Sequence, residues 1–597
     1  MTEEAVASKD AVLTTEKIVR TGNFGIALAM AIGVTGVFSG TVSAQAGPPR
    51  TTSQFGISYE SKLATMGEFK PLDNSMFGDQ INLFTGEMRF VQTDIDLPGN
   101  NSLPMRVTRS YSPGAKTLDL SQFADWDLEI PYIAGTYGKS GWVSTAGPRC
   151  SVPRNDIMKA SPPSEYVLAD GGSNVGFAFD PHFYWSGNSL HLPAEGTSRM
   201  MVLAPETKAP NDGRAYYWST ASRWMFSCLP STSNGHPGEG FMAHSPDGTR
   251  YWFDRIVSSS AGTMESWYGV DVYQYVSRMQ LLNYRALPSR MEDRHGNSVT
   301  FAYFNDKPFL VQSMTASDGR SIVFRRNGTA GIDVDAGGRT WSYRYANVTG
   351  QRPKLEAAVL PDGSSWSFNM GPVYGNPLNG WRNCADYVPG LGPGSTFSIT
   401  HPAGATGTFS LNNRLHGRTG ARNTCRPYAA SFFPVESHIL QVLSVDRKVI
   451  SGPGLSTLSW DYRYSPLAAS LDTGQHIACQ TTPCPETRDV TVTRENGAWD
   501  KYTFSQKFGD LEGKKLREEH ASTTGVVSRT DYQYQRTSSG SYARAGADPC
   551  WVCSKEEEMP KPLSRRVIQQ DGRTFTLQVE QFDAFARPIR VVRSSSP

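Results

Sequence analysis

Eight cysteines are the most reactive side chains in this 597-residue chain. Cys550 and Cys553 have the spacing of a redox pair or of half a zinc site. No second pair lies at finger spacing, and no alternation of strand and helix surrounds the first. In an exported chain an even cysteine count points to disulfides. Closeness in sequence suggests Cys479 with Cys484, Cys550 with Cys553, Cys384 with Cys425, and Cys150 with Cys228. Other constellations are thinner. Asp125 and Asp127 flank Trp126, and two carboxylates about 5 to 10 Å apart beside an aromatic ring could cleave a glycosidic bond. Asp333 and Asp335 before Gly337 resemble the start of a calcium loop, but the third carboxylate and the distal Glu are missing. Ten histidines are scattered without paired spacing; His295, inside a turn, and His401, before Pro402, read as structural. Glu556 to Glu558 read as a solvated loop. No nucleophile elbow, zinc-protease helix or phosphate loop is present. The expectation is a protein without catalytic residues, cofactor or metal.

The elements that would position these groups are announced by turns. Six Asp-Gly pairs occur, and after most of them the third and fifth residues beyond the glycine are bulky and apolar. Asp247-Gly248 leads to Tyr251 and Phe253, Asp318-Gly319 to Ile322 and Phe324, Asp362-Gly363 to Trp366 and Phe368, and Asp571-Gly572 to Phe575 and Leu577. Gly296 and Gly338 keep the same register without the aspartate, and Gly338 leads to Trp341, Tyr343 and Tyr345. Asp-Gly fits a two-residue hairpin turn with positive φ, and alternation of period two puts the large side chains on one face of the outgoing strand. The turn glycines recur at intervals of about 20 residues, the mark of a repeat array whose units must stack to bury their aromatic faces. With 56 glycines and 38 prolines beside 25 tyrosines and 28 phenylalanines, the fold class is all-β. Repeated hairpins would build a spiralling sheet, either a shell or an open solenoid. The aromatic stripe Trp341, Tyr343, Tyr345, Trp366 and Phe368 is expected to fill the buried face.

Lys17 and Arg20 precede an uncharged apolar run from Phe24 to Val42 that ends in Ala44-Gln45-Ala46. This is the pattern of a secretory signal, residues 1–46, with cleavage after Ala46. It predicts an exported protein (periplasmic, cell-surface or secreted) with no membrane span after cleavage. A net charge of +2 leaves no footprint for nucleic acid. Residues 47–75 read as an irregular lead-in, 76–115 as a module of clear hairpins, 116–280 as irregular β structure with long loops, and 281–597 as the repeat region. In the irregular part, Trp126, Trp142, Trp185, Trp224 and Trp267 follow no repeat register and could line an exposed groove.

Three Tyr-x-Tyr strand ends, at Tyr343 and Tyr345, Tyr462 and Tyr464, and Tyr532 and Tyr534, resemble those of the RHS/YD-repeat family. Phe582 to Pro588 resembles its Tyr-Asp-x-x-Gly-Arg-Pro signature, with Phe for Tyr and Ala for Gly. Asp293 to Asn297 resembles its Asp-x-x-Gly-Asn turn. Phe77 to Tyr111, through Asp79, Asn82, Asp94, Arg109 and Tyr111, resembles its opening module. The resemblance implies a sheet spiralling into a hollow shell, which in bacterial relatives encloses a toxin and in animal relatives serves cell-surface recognition. The block that closes such shells and any effector domain are missing before Pro597. The expected function is therefore a non-enzymatic scaffold that carries or recognises another polypeptide, or self-associates, through an open C-terminal edge. The alternative is an extracellular protein that binds or cleaves carbohydrate through exposed tryptophans.

Overall fold

The computed structural model describes residues 69–70, 76–113, 121–142, 149–151, 162–170, 176–181, 184–185, 187–193, 196–203, 209–268, 275–347, 352–371, 391–421, 438–509, 511–535, 546–547, 561–583 and 586–596. The expected signal segment, Ala46 and nearly all of the expected lead-in lie outside them. Among the described residues there is no α-helix, and antiparallel strands dominate, as the turn pattern requires.

The turns are built differently from the sequence expectation. Around Gly248, Gly319 and Gly363 the loop has three residues rather than two. The glycine N–H donates to the carbonyl three residues back, at Ser245, Ala316 and Leu360, and the ladder resumes one residue later. This is a type I turn followed by a residue in the left-handed region, and only the glycine takes positive φ, at 90°, 90° and 86°. The aspartate has a separate task. Its carboxylate accepts the N–H two residues on, as in Asp247 to Thr249, Asp318 to Arg320 and Asp362 to Ser364. Two turns do have the expected two-residue form. In one, Asp571 and Gly572 both have positive φ; in the other, Gly337 and Gly338 do.

Two sheets matter. The first has five antiparallel strands in sequence order, from Phe69–Lys70 through Asp79–Asn82, Met88–Asp96 and Arg106–Tyr111 to Asp127–Leu128. The second is much larger and adds hairpin after hairpin, nearly every strand beside its sequence neighbour, from Met201–Leu203 to Pro588–Ser596; Gly546–Ala547 leaves that order and pairs with Met201–Leu203, so Gly525–Tyr534 pairs directly with Leu563–Gln570. A small hairpin, Ala469–Ser470 with His476–Ala478, is left out, so Leu455–Tyr464 pairs directly with Thr487–Arg494. Tyr132–Tyr137 docks on the long strand Tyr275–Glu292 and carries Ser189–Leu192 and then Gly196–Arg199. The large sheet thus branches there, and among the described residues it does not close into a barrel.

The core explains the aromatic alternation. Val299, Phe301, Ile322, Phe324, Trp341, Tyr343, Trp366 and Phe368 all point to one face of the large sheet and are buried. What buries them is the first sheet. Phe77 meets Trp366 and Phe409, Phe90 meets Phe397 and Phe409, Phe123 stacks on Tyr343, and Trp126 meets Phe368. Phe84 reaches as far as Phe504. The N-terminal sheet, a separate opening module in the sequence pattern, is the packing partner of the repeats. Each such ring contributes about 1.5–3 kcal/mol by leaving water.

A second core lies in the irregular region. Trp142, Trp185 and Trp224 are buried there with Trp218, Phe226 and Phe241, and Trp126 is buried in the first core. The expected exposed tryptophan groove is therefore corrected for these four residues: large rings off the repeat register were filling a second core. The side chain of Trp267 lies outside the described residues.

Three buried histidines predict acid sensitivity. His416 is held well below its usual range by burial and by Arg488 and Arg414; His438 is lowered to about 4 by burial and Arg418. Burial also keeps His191 low, although Glu129 opposes it. Their folded pKa values lie below the unfolded value of about 6.5, so below that pH the unfolded chain takes up protons that the folded chain refuses. Stability should be flat from about pH 8 to 7 and fall steadily towards about pH 4. His520, half-exposed beside Asp500, is raised and acts weakly in the other direction. Urea midpoints measured across this range check the prediction; equal midpoints at about pH 7 and 4.5 would sink it.

Candidate functional site

Each candidate residue from the sequence has a defined place or lies outside the described residues. Cys150 and Cys228 are bonded, with Cα atoms 5.6 Å apart, and tie the second core together. Cys479 and Cys484 are bonded with Cα atoms 5.5 Å apart. Cys384, Cys425, Cys550 and Cys553 lie outside the described residues. The two aspartates around Trp126 have structural partners: Asp125 accepts the Leu355 N–H at 2.8 Å, and Asp127 holds Arg285 at 2.8 Å. Asp333 accepts from Ser342 and Asn327, and Asp335 from Thr340 and Arg325, so side-chain donors occupy both carboxylates. His401 accepts the Ala403 N–H and sets its ring against Trp366.

The aromatic stripe is buried, with Tyr345 half-buried at its edge, donating to the Gln122 carbonyl. On the opposite face of these strands lies a polar groove of about 380 Å³ lined by Arg344, Glu356, Ser367, Asn369, Ser398 and Thr400. Phe368 also lines the groove, but its ring is turned to the buried face against Trp126, so the groove offers no aromatic platform for a sugar.

Where the first sheet meets the repeats, charges are buried in three places. Arg109 bonds Asp94 at 2.8 Å and lies over Trp126, Trp366 and Phe368 at 4.7–5.2 Å. Asp94 also accepts from the Tyr343 hydroxyl at 2.9 Å. Glu129 joins Arg89, His191 and Ser110. Burial pushes its carboxyl up, but Arg89 and His191 outweigh burial and hold it well below the usual carboxylate range. Lys448 meets Asp79 at 2.5 Å. From sequence, Asp79, Asp94 and Arg109 stand only in a stretch that resembles an opening module, and nothing singles out Glu129 or His191. One signal was available: Lys448 stands two residues before Ile450, on the apolar parity of its strand.

Burial fails at the far end of the array. Ser298–Tyr303 alternates cleanly between buried and exposed, but Leu563–Gln570 has no buried residue and every residue of Pro588–Ser596 is exposed. Phe575, expected inside, is 42 % exposed, because among the described residues no segment of the first sheet packs beneath it. The last strand pairs with Arg573–Phe582 along one edge, and among the described residues its other edge is unpaired. Ile589, Val591 and Val592 stand 64 %, 42 % and 40 % exposed on it. Among the described residues, no helix is long and apolar enough to cross a membrane. No protein-family model matches the chain, and no curated protein matches it.

Proposed function

We propose that this chain is an exported, non-enzymatic β-scaffold that takes up a polypeptide strand along the open edge of Pro588–Ser596. The observation that carries this reading is that edge: a long, wholly exposed strand with apolar side chains. Such a strand is a template for pairing. Strand addition would give the partner main-chain hydrogen bonds and let its alternate side chains meet Ile589, Val591 and Val592. Arg565, Arg566, Arg573, Arg587, Arg590 and Arg593 outnumber Asp571, Glu580 and Asp583 on these last strands, which favours an acidic or neutral partner strand. The RHS/YD resemblance supports the same reading, since it implies a shell that carries or recognises a polypeptide. Glycan binding receives less support, because four of the five tryptophans it would use are buried.

The test is sedimentation of the full chain purified from its own cells. The wild type should carry a stoichiometric second polypeptide or assemble with itself, and a Val591→Glu, Val592→Glu double variant should sediment as a bare monomer. Both positions are solvent-exposed, so the variant's stability should change by less than about 1 kcal/mol. A wild-type chain that is monomeric and carries nothing would overturn the proposal.

A further inference from the structure

Of the three buried charge sites, the one at Lys448 is the least satisfied. The Lys448 and Asp79 side chains are 0 % and 1 % exposed. The ammonium makes one hydrogen bond, 2.5 Å to Asp79 Oδ2, and otherwise faces the Trp460 ring at 5.0 Å. Asp79 Oδ1 has no hydrogen-bond partner at all. Neighbouring side chains are aromatic: Lys448 pairs in register with Phe409 on one side and Trp460 on the other, and Asp79 pairs with Phe90. The Tyr462 hydroxyl is also buried without a hydrogen-bond partner. Its titration is pushed well up by burial and by the Asp79 charge, so a proton donor lies within electrostatic reach of the carboxylate.

Removing two ions from water is costly, and a single hydrogen bond does not repay that. Attack by the amine needs the neutral pair, which forms when Nζ passes a proton to the carboxylate. That neutral pair is an amine in hydrogen-bond contact with a carboxylic acid, the reactants of amide formation. Fixed contact of this kind is worth an effective concentration of about 10⁵–10⁸ M.

We propose that Asp79 and Lys448 condense into an intramolecular isopeptide bond that fastens the N-terminal sheet to the repeat sheet. The Nζ lone pair attacks Asp79 Cγ and a C–N bond forms. The bond from Cγ to one carboxyl oxygen then breaks. That oxygen leaves as water, with one proton from the carboxyl group and one from the amine. Nothing is oxidised or reduced. The product is a neutral amide in place of two buried charges, linking residues 369 apart in sequence.

Mass spectrometry of the folded full chain tests this. After reduction and alkylation, the wild type should be lighter by one water than its sequence requires, and Lys448→Met should have its full mass. Trypsin should leave the bond after Lys448 uncut and release a branched peptide holding both residues. Asp79→Asn should form the same link with loss of ammonia in place of water. A wild-type chain of full mass that is cut quantitatively after Lys448 would overturn the proposal. So would a water loss confined to the Asp79 peptide, which marks a cyclic imide. Both overturning readings come from the wild type and do not require any variant to fold.

Discussion

Arg109→Ala should lower the unfolding free energy by about 3–5 kcal/mol, the cost of leaving one partner of a buried pair behind. The guanidinium does three things at once: it neutralises Asp94, it lies over the rings of Trp126, Trp366 and Phe368, and through Asp94 it is linked to the Tyr343 hydroxyl. Desolvated cation–π contact alone is worth about 2 kcal/mol. Arg109→Lys keeps the charge but loses the planar surface that stacks on the rings, so it should recover only part of the loss. Asp94→Asn should be costly for the converse reason, because it strands the guanidinium. Urea unfolding followed by tryptophan fluorescence measures all three. A loss under about 1 kcal/mol for Arg109→Ala would mean that the rings hold the first sheet in place without the ion pair.

Phe90→Ala should cost a similar amount, about 3–5 kcal/mol, by a different route. Phe90 is fully buried, with its ring centre 4.9 Å from Phe409 and 5.5 Å from Phe397. Truncation leaves a cavity between two sheets that each hold their own hydrogen bonds and so relax poorly into it. Hydrogen exchange should therefore quicken in Ser395–Thr400 and Thr406–Gly417, the strands beneath the cavity. Exchange in Arg573–Phe582 should not change, since no residue of that strand belongs to the core that the first sheet covers. Uniform quickening throughout would show instead that the whole chain unfolds as one unit.

The elements were legible where one residue's geometry dictates the backbone. Gly248, Gly319 and Gly363 mark turns because only glycine takes that φ without strain, whatever surrounds it. The inward face was legible too, since Trp341 and Tyr343, or Trp366 and Phe368, share a parity with one physical reading. The turn type was misjudged because Asp-Gly serves two loop lengths, and the carboxylate contact that stabilises the longer one leaves no separate trace in sequence. The packing partner was beyond reach for another reason. Nothing local says that Phe90 lies on Phe409, because such a pairing is fixed by the whole sheet and not by a neighbour. The same limit applied to the tryptophans. A large ring off register looks unemployed until a second core is seen to need it.

The placing of the first sheet has a consequence for synthesis. A ribosome makes Phe77 to Leu128 early, yet Phe84 finds its aromatic partner only when Phe504 has emerged. At about 5–20 residues per second, the nascent chain would display that apolar surface for tens of seconds. Each new hairpin shields a little more of it, so the hazard declines as elongation proceeds and does not vanish in one step. A chain built in this order keeps its first sheet waiting for its cover through most of its synthesis.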